Sequence, residues 1–172
     1  DILKTAPERY SSTVEYNGDP FSQWVKNIAQ VHLAEFGTRV LYTRLDPGAF
    51  DTHANQGTLF PALWTDVSNA VSDLYEDLKE HHSNEEVVIL MFTEFGRRVK
   101  ENGSGTDHGS GSVAFVIGDA VRGGLYGEYP SLEPEKLDEG DLQWNNDFRG
   151  TYATLLEKWM GLDSQAILGG SF

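Results

Sequence analysis

Val87-Val88-Ile89-Leu90-Met91-Phe92, running straight into Thr93-Glu94-Phe95-Gly96-Arg97-Arg98, decides how this chain folds. An unbroken apolar run of this length has the form of a strand buried on both faces, as in a parallel sheet. Upstream, Leu63, Val67, Ala70, Val71, Leu74 and Leu78 recur at steps of three and four, so a long amphipathic helix is expected from about Leu59 to His82. Pro61 fits that helix only in its first turn, where a missing N–H costs nothing. Before the helix, the β-prone run Thr38–Leu45 ends at the turn signal Asp46-Pro47-Gly48. Strand, helix and buried strand make a βαβ unit whose crossover should be right-handed. The expected class is α/β, a mostly parallel sheet flanked by helices.

Working outward, Asp19-Pro20 reads as an N-cap with proline at the first helical position, and Phe21, Trp24, Val25, Ile28 and His32 share one helical stripe that ends by Gly37. Residues 1–18 form an irregular lead-in. Downstream, a glycine-rich loop from Gly103 to Gly111 precedes a third β-prone run, Val113–Ile117, and Arg122–Gly127 suggests a tight turn and a short strand. Residues 130–146, acidic and punctuated by prolines at their start, read as a surface excursion. Asp147 can cap a last helix with Tyr152, Leu155, Leu156 and Trp159 on one face, ending at Gly161. At 172 residues the chain fits a single domain, residues 1–172.

Thirteen basic against 27 acidic residues leave a formal charge of −14, a field that repels nucleic-acid backbones and anionic membranes. Nucleic acid is therefore excluded as an expected partner, while cations are favoured. The absence of cysteine removes disulfides, thiolate nucleophiles and zinc–thiolate sites. No transmembrane segment is expected, since no apolar run approaches the roughly 18 residues a span requires. The sequence opens on Asp1 with neither a basic-then-apolar leader nor a methionine, and the compartment stays open.

Ligands of open α/β sheets collect beyond the carboxyl ends of the strands. The loop Gly48-Ala49-Phe50-Asp51-Thr52-His53-Ala54-Asn55-Gln56 follows the first expected strand, and an aspartate two residues from a histidine can turn a carboxylate oxygen and an imidazole nitrogen onto one divalent metal. The same dipeptide could instead form an Asx-type turn with His53 exposed. Glu94, leaving the apolar strand, falls on the same sheet edge, unless it simply pairs with Arg97 or Arg98. Those two arginines could also hold a phosphate or sulfate. Gly105-Thr106-Asp107-His108-Gly109 precedes a strand, so Asp107 and His108 reach that edge only if Val113–Ile117 runs antiparallel; an exposed, flexible turn is the alternative.

Elsewhere His32 reads as a packed or hydrogen-bonded residue, and His81 and His82 as solvated residues at a helix end. Trp24, Trp64 and Trp159 read as core by spacing, and Trp144 as a candidate ligand wall. No Gly-x-Ser-x-Gly elbow exists, so a serine-hydrolase triad is unsupported.

The segments 48–56, 93–98 and 105–109 together resemble a widespread uncharacterised bacterial family, a domain of unknown function related to sulfatases and alkaline phosphatases. The resemblance runs from about Phe21 to Gly161, includes Asp147-Phe148-Arg149, and matches the C-terminal half of such proteins, so only part of the full family fold is expected. It implies an alkaline-phosphatase-like fold in which Asp51, His53, Glu94 and His108 occupy metal-ligand positions, with Asp107 nearby. The implied cofactor is a divalent metal, Zn, Mn or Ca. The implied activity is metal-dependent hydrolysis of a small anionic phosphate or sulfate ester, with Arg97 or Arg98 neutralising the ester. Three departures stand against activity of this chain alone: a shorter Asp-to-His spacing, Phe95 in place of a second histidine, and no half carrying the nucleophile. The rival expectation is a non-catalytic binding or interaction protein that keeps these polar residues as a loop network. The resemblance further implies export to the periplasm or beyond, and half of a larger sheet implies a homo-oligomer formed through an exposed sheet edge or apolar face.

Overall fold

The computed structural model describes residues 2–46 and 48–172. Its helices are α1 (Ala6–Arg9), α2 (Pro20–Leu33), α3 (Gln56–Glu80), α4 (Phe148–Thr154) and α5 (Ser164–Leu168), and its strands are β1 (Ile89–Met91), β2 (Gly96–Glu101), β3 (Thr106–Gly109) and β4 (Phe115–Ile117). The fold is thus mixed α and β. The chain divides into two compact units, the first made of residues 1–92, 101–107 and 114–122, the second of residues 93–100, 108–113 and 123–172. No helix among the described residues is long and apolar enough to cross a membrane.

In the first unit, α2 starts where the sequence places it. Asp19 accepts the Ser22 amide at 2.9 Å and the Ser22 hydroxyl at 2.6 Å, satisfying a donor that the helix itself cannot. These contacts hold the Asp19 carboxyl below the usual aspartate range, the Ser22 hydroxyl first and its amide second. The apolar stripe of α2 packs on α3, with Val25 and Ala29 meeting Ala70, Leu74 and Leu78, and Tyr16 of the lead-in closing the cluster. Ala29 and Ala70 are fully buried, and their small side chains let the two helices approach closely. Burying a leucine such as Leu78 contributes about 1.5–3 kcal/mol. Helix α3 begins three residues earlier than the periodicity suggests, which places Pro61 in its second turn and deprives the Gly57 carbonyl of its intrahelical donor.

The sheet expectations need correction. Thr38–Leu45 forms no strand, and Val40 and Tyr42 are exposed. Pro47, in the expected turn, lies outside the described residues. β propensity describes fitness for a paired, half-covered surface and cannot supply the partner. The apolar run shortens to β1, which is half-buried, and Phe92 is exposed. β1 pairs with β4 in antiparallel register, Ile89 with Ile117, Leu90 with Val116 and Met91 with Phe115. The demand that Val113–Ile117 run antiparallel is therefore met, whereas no parallel pair forms among the described residues. One side of this ribbon brings Ile89 against the α2–α3 core, and Met91, Phe115 and Ile117 form with Trp64 and Val71 the walls of an apolar groove of about 440 Å³. β2 and β3 form a second two-stranded sheet, its turn closed by the Asn102 amide on the Gly105 carbonyl at 3.0 Å.

In the second unit, Asp147 caps α4 through the Arg149 amide at 2.9 Å, and α4 continues into a π-helical turn, Leu155–Trp159. Arg122–Gly127 forms no strand, and most of residues 130–146 are exposed, as expected of a surface excursion. Trp24, Trp64 and Trp159 are more than a third exposed and Trp144 is 62 % exposed, which corrects the expectation that helical spacing makes the first three core residues. Their stripes cover the helix flanks, where one edge of each ring stays wet.

Candidate functional site

The loop from Asp46 to Gln56 is shaped by its backbone. Ala49 donates to the Asp46 carbonyl and Asp51 to the Gly48 carbonyl, each at 3.0 Å, and Gly48 supplies the positive φ of 87° that this reversal requires. At the far end, Asn55 adopts a left-handed conformation and its carbonyl starts α3 by accepting from Thr58 and Leu59. Between these anchors Thr52 turns inward and is buried, while Asp51 and His53 turn outward.

The β2–β3 turn then docks on this loop. Ser104 accepts the Asn55 amide through Oγ at 3.1 Å and the Gln56 amide through its carbonyl at 2.9 Å, and Thr106 Oγ1 donates to Gln56 Oε1 at 3.1 Å. Gly105 sits so close that a Cβ there would lie 2.4 Å from the His53 carbonyl carbon and 2.6 Å from the carbonyl oxygens of Thr52 and His53. Only glycine permits this approach.

The docking brings Asp107 to His53. His53 Nδ1 lies 3.2 Å from Asp107 Oδ1, and His53 Nε2 lies 2.9 Å from Asp51 Oδ1. Asn102 Nδ2 donates to the same Asp107 oxygen at 2.8 Å, fixing that carboxylate from its other side. Both ring nitrogens of His53 therefore face acceptors. A neutral imidazole can donate to Asp107 or to Asp51, not to both, so the second contact calls for a cation, either a proton on the ring or a metal ion between nitrogen and oxygen. Roughly half of the His53 side chain is exposed, and so is more than a third of each carboxylate. Ion pairs this wet contribute little to stability. Thr52 Oγ1, buried beside His53 in the chain, finds no hydrogen-bond partner among the described residues.

The remaining expected residues belong to the second unit. The His108 ring stacks on Phe95 with centroids 4.1 Å apart and planes 3° from parallel, and the Arg97 guanidinium lies over the other ring of that pair, 4.9 Å from the Phe95 centroid. Phe95, which replaces an expected histidine, thus serves as a flat wall for His108. Arg98 Nη1 donates to the Glu139 carbonyl at 3.3 Å, and Glu94 is exposed. Asp141, unremarked in the sequence, accepts the Ser110 amide at 2.8 Å and fastens the end of the glycine-rich loop. Asn102 and Ser104 were also missed, because amide and hydroxyl side chains within a glycine-rich turn carry no signal until the turn has a docking partner.

Neither a curated protein nor a solved structure matches the chain. Residues 5–169 match a family described as a protein of unknown function. With nearly its whole length matched, the chain belongs to that family, DUF1501.

Proposed function

We propose that Asp51 and His53 hold one divalent cation, with Asp107 supporting His53, and that the protein in its full-length form is a metal-dependent hydrolase of phosphate or sulfate esters, built on an alkaline-phosphatase-like fold. The observation that carries the reading is the clamp on His53. Asp107, itself held by Asn102, accepts a hydrogen bond from His53 Nδ1–H and so leaves the Nε2 lone pair facing Asp51 Oδ1. A carboxylate that orients a ligating histidine through its second nitrogen is the usual support for such a ligand. The orphaned Thr52 hydroxyl and the Gly105 contact, which keeps the His53 backbone from shifting, fit the same purpose. When bound, the cation would polarise an ester oxygen and offset charge developing on it.

Elemental analysis and calorimetric titration with zinc, manganese and calcium test the reading. One equivalent should bind, and His53→Ala should abolish binding. Turnover of an aryl phosphate or aryl sulfate should depend on the added metal. Absence of metal binding by the unaltered protein overturns the proposal.

A second reading rests on the contacts that need no ligand. Asn55–Ser104 and Gln56–Thr106 already tie the two loops together and Asn102 holds Asp107 in place, so a protonated His53 could bridge its carboxylates within a non-catalytic binding surface. That reading gains if the protein binds no metal and His53→Ala leaves stability unchanged.

A further inference from the structure

A second histidine with both ring nitrogens engaged lies in the first unit, at the C-terminal end of α3. His81 Nδ1 lies 2.8 Å from the Asp77 main-chain carbonyl oxygen, and Nε2 lies 2.8 Å from the Ser11 carbonyl oxygen. A carbonyl oxygen can only accept, and a neutral imidazole owns one N–H, so only the doubly protonated ring satisfies both contacts. The surroundings favour that cation. Asp77 is fully buried; its Oδ2 accepts from Tyr10 Oη at 2.6 Å and Tyr16 Oη at 2.8 Å, and its Oδ1 lies 3.2 Å from His81 Nδ1 without accepting a hydrogen bond among the described residues. The final carbonyls of α3 add partial negative charge on the same side.

We propose that His81 is a proton-operated latch, which as the imidazolium ties Ser11–Thr13 to the end of α3 and on losing its proton lets that stretch go, while Tyr10 and Tyr16 on either side stay anchored on Asp77. The groups around it are Asp77 and Glu80 of α3, Tyr10 stacked at 6.2 Å, and Lys26 of α2 lying 5.8 Å from the Tyr10 centroid. Glu80 also holds the segment directly, accepting the Thr13 amide at 3.0 Å and the Thr13 hydroxyl at 2.6 Å. Donation to the Asp77 carbonyl raises the His81 pKa; partial burial opposes this, and the Ser11 carbonyl and the charges of Asp77 and Glu80 reinforce it. Burial first, and then the hydrogen bond to Asp77, push the Tyr10 and Tyr16 phenols well above their usual range, so both remain donors while His81 titrates. Because the folded pKa of His81 lies above its unfolded value, the latch is complete below about pH 6.5 and is lost as pH rises through the folded pKa.

The test combines an NMR titration of the His81 ring with amide exchange of residues 12–16, corrected for intrinsic rates, between about pH 6 and pH 9. His81 should titrate above 6.5, the ordinary histidine value. Protection of the Thr13 amide should fall at least tenfold about the same midpoint, and His81→Gln should show low protection at every pH. Titration at or below the ordinary value overturns the latch, as does an unchanged protection midpoint in His81→Gln. If that variant fails to fold, separate midpoints for ring and segment in the unaltered protein overturn it alone.

Discussion

Gly105→Ala should loosen the β2–β3 turn from the Asp46–Gln56 loop and weaken cation binding together. The added Cβ would lie 2.4 Å from the His53 carbonyl carbon, where carbon atoms settle at about 3.5 Å, so one of the two loops must move by about 1 Å. All three of the nearest atoms are main chain, and no rotamer change relieves the clash. Overpacking of this kind costs about 1–3 kcal/mol. The same displacement lengthens the Ser104 contacts to Asn55 and Gln56 and pulls His53 Nδ1 from Asp107, so cation affinity should fall by roughly 10–100-fold, as when the support of a ligating histidine is lost. Gly57→Ala is the control: it lies in the first turn of α3 with nothing within 4 Å of its new methyl, and should be neutral or stabilise by up to about 1 kcal/mol. Urea unfolding gives the stabilities and calorimetric manganese titration the affinities. Gly105→Ala within about 0.5 kcal/mol of the unaltered protein, with undiminished cation affinity, would refute the reasoning.

Two further perturbations address the first unit's core. Tyr16→Phe removes one of two donors from the buried Asp77 carboxylate and should cost about 1–3 kcal/mol in urea unfolding. Asp19→Ala removes the α2 cap and should cost about 1 kcal/mol near neutral pH. Because the folded Asp19 pKa is lowered, its contribution is complete above the ordinary aspartate value and lost as pH falls through the folded one, so the gap between variant and unaltered protein should close in acid. A gap that widens on acidification would contradict this.

Legibility in the sequence followed the range of the interaction. The caps at Asp19 and Asp147 and the buried stripe Val67–Leu78 depend on neighbours within a few turns, and each was readable from spacing. Strands depend on partners, and here the reading divided. The antiparallel course of Val113–Ile117 followed from asking where His108 must go, whereas Thr38–Leu45 has β-prone residues and no partner to pair with among the described residues. The Asp107–His53 contact spans 54 residues and depends on Gly105 and Ser104 docking against a loop that no local pattern reveals. His81 looked solvated for the same reason, since the Ser11 carbonyl that completes its contacts is 70 residues away.

The division into two compact units carries a genetic consequence. The chain passes from one unit to the other at 92/93, 100/101, 107/108, 113/114 and 122/123. No single cut or fusion point can therefore release either unit whole. Removing everything from Gly123 onward would take most of the second unit but strand its two short segments, 93–100 and 108–113. The two units therefore have to be expressed and engineered together, as one stretch of chain.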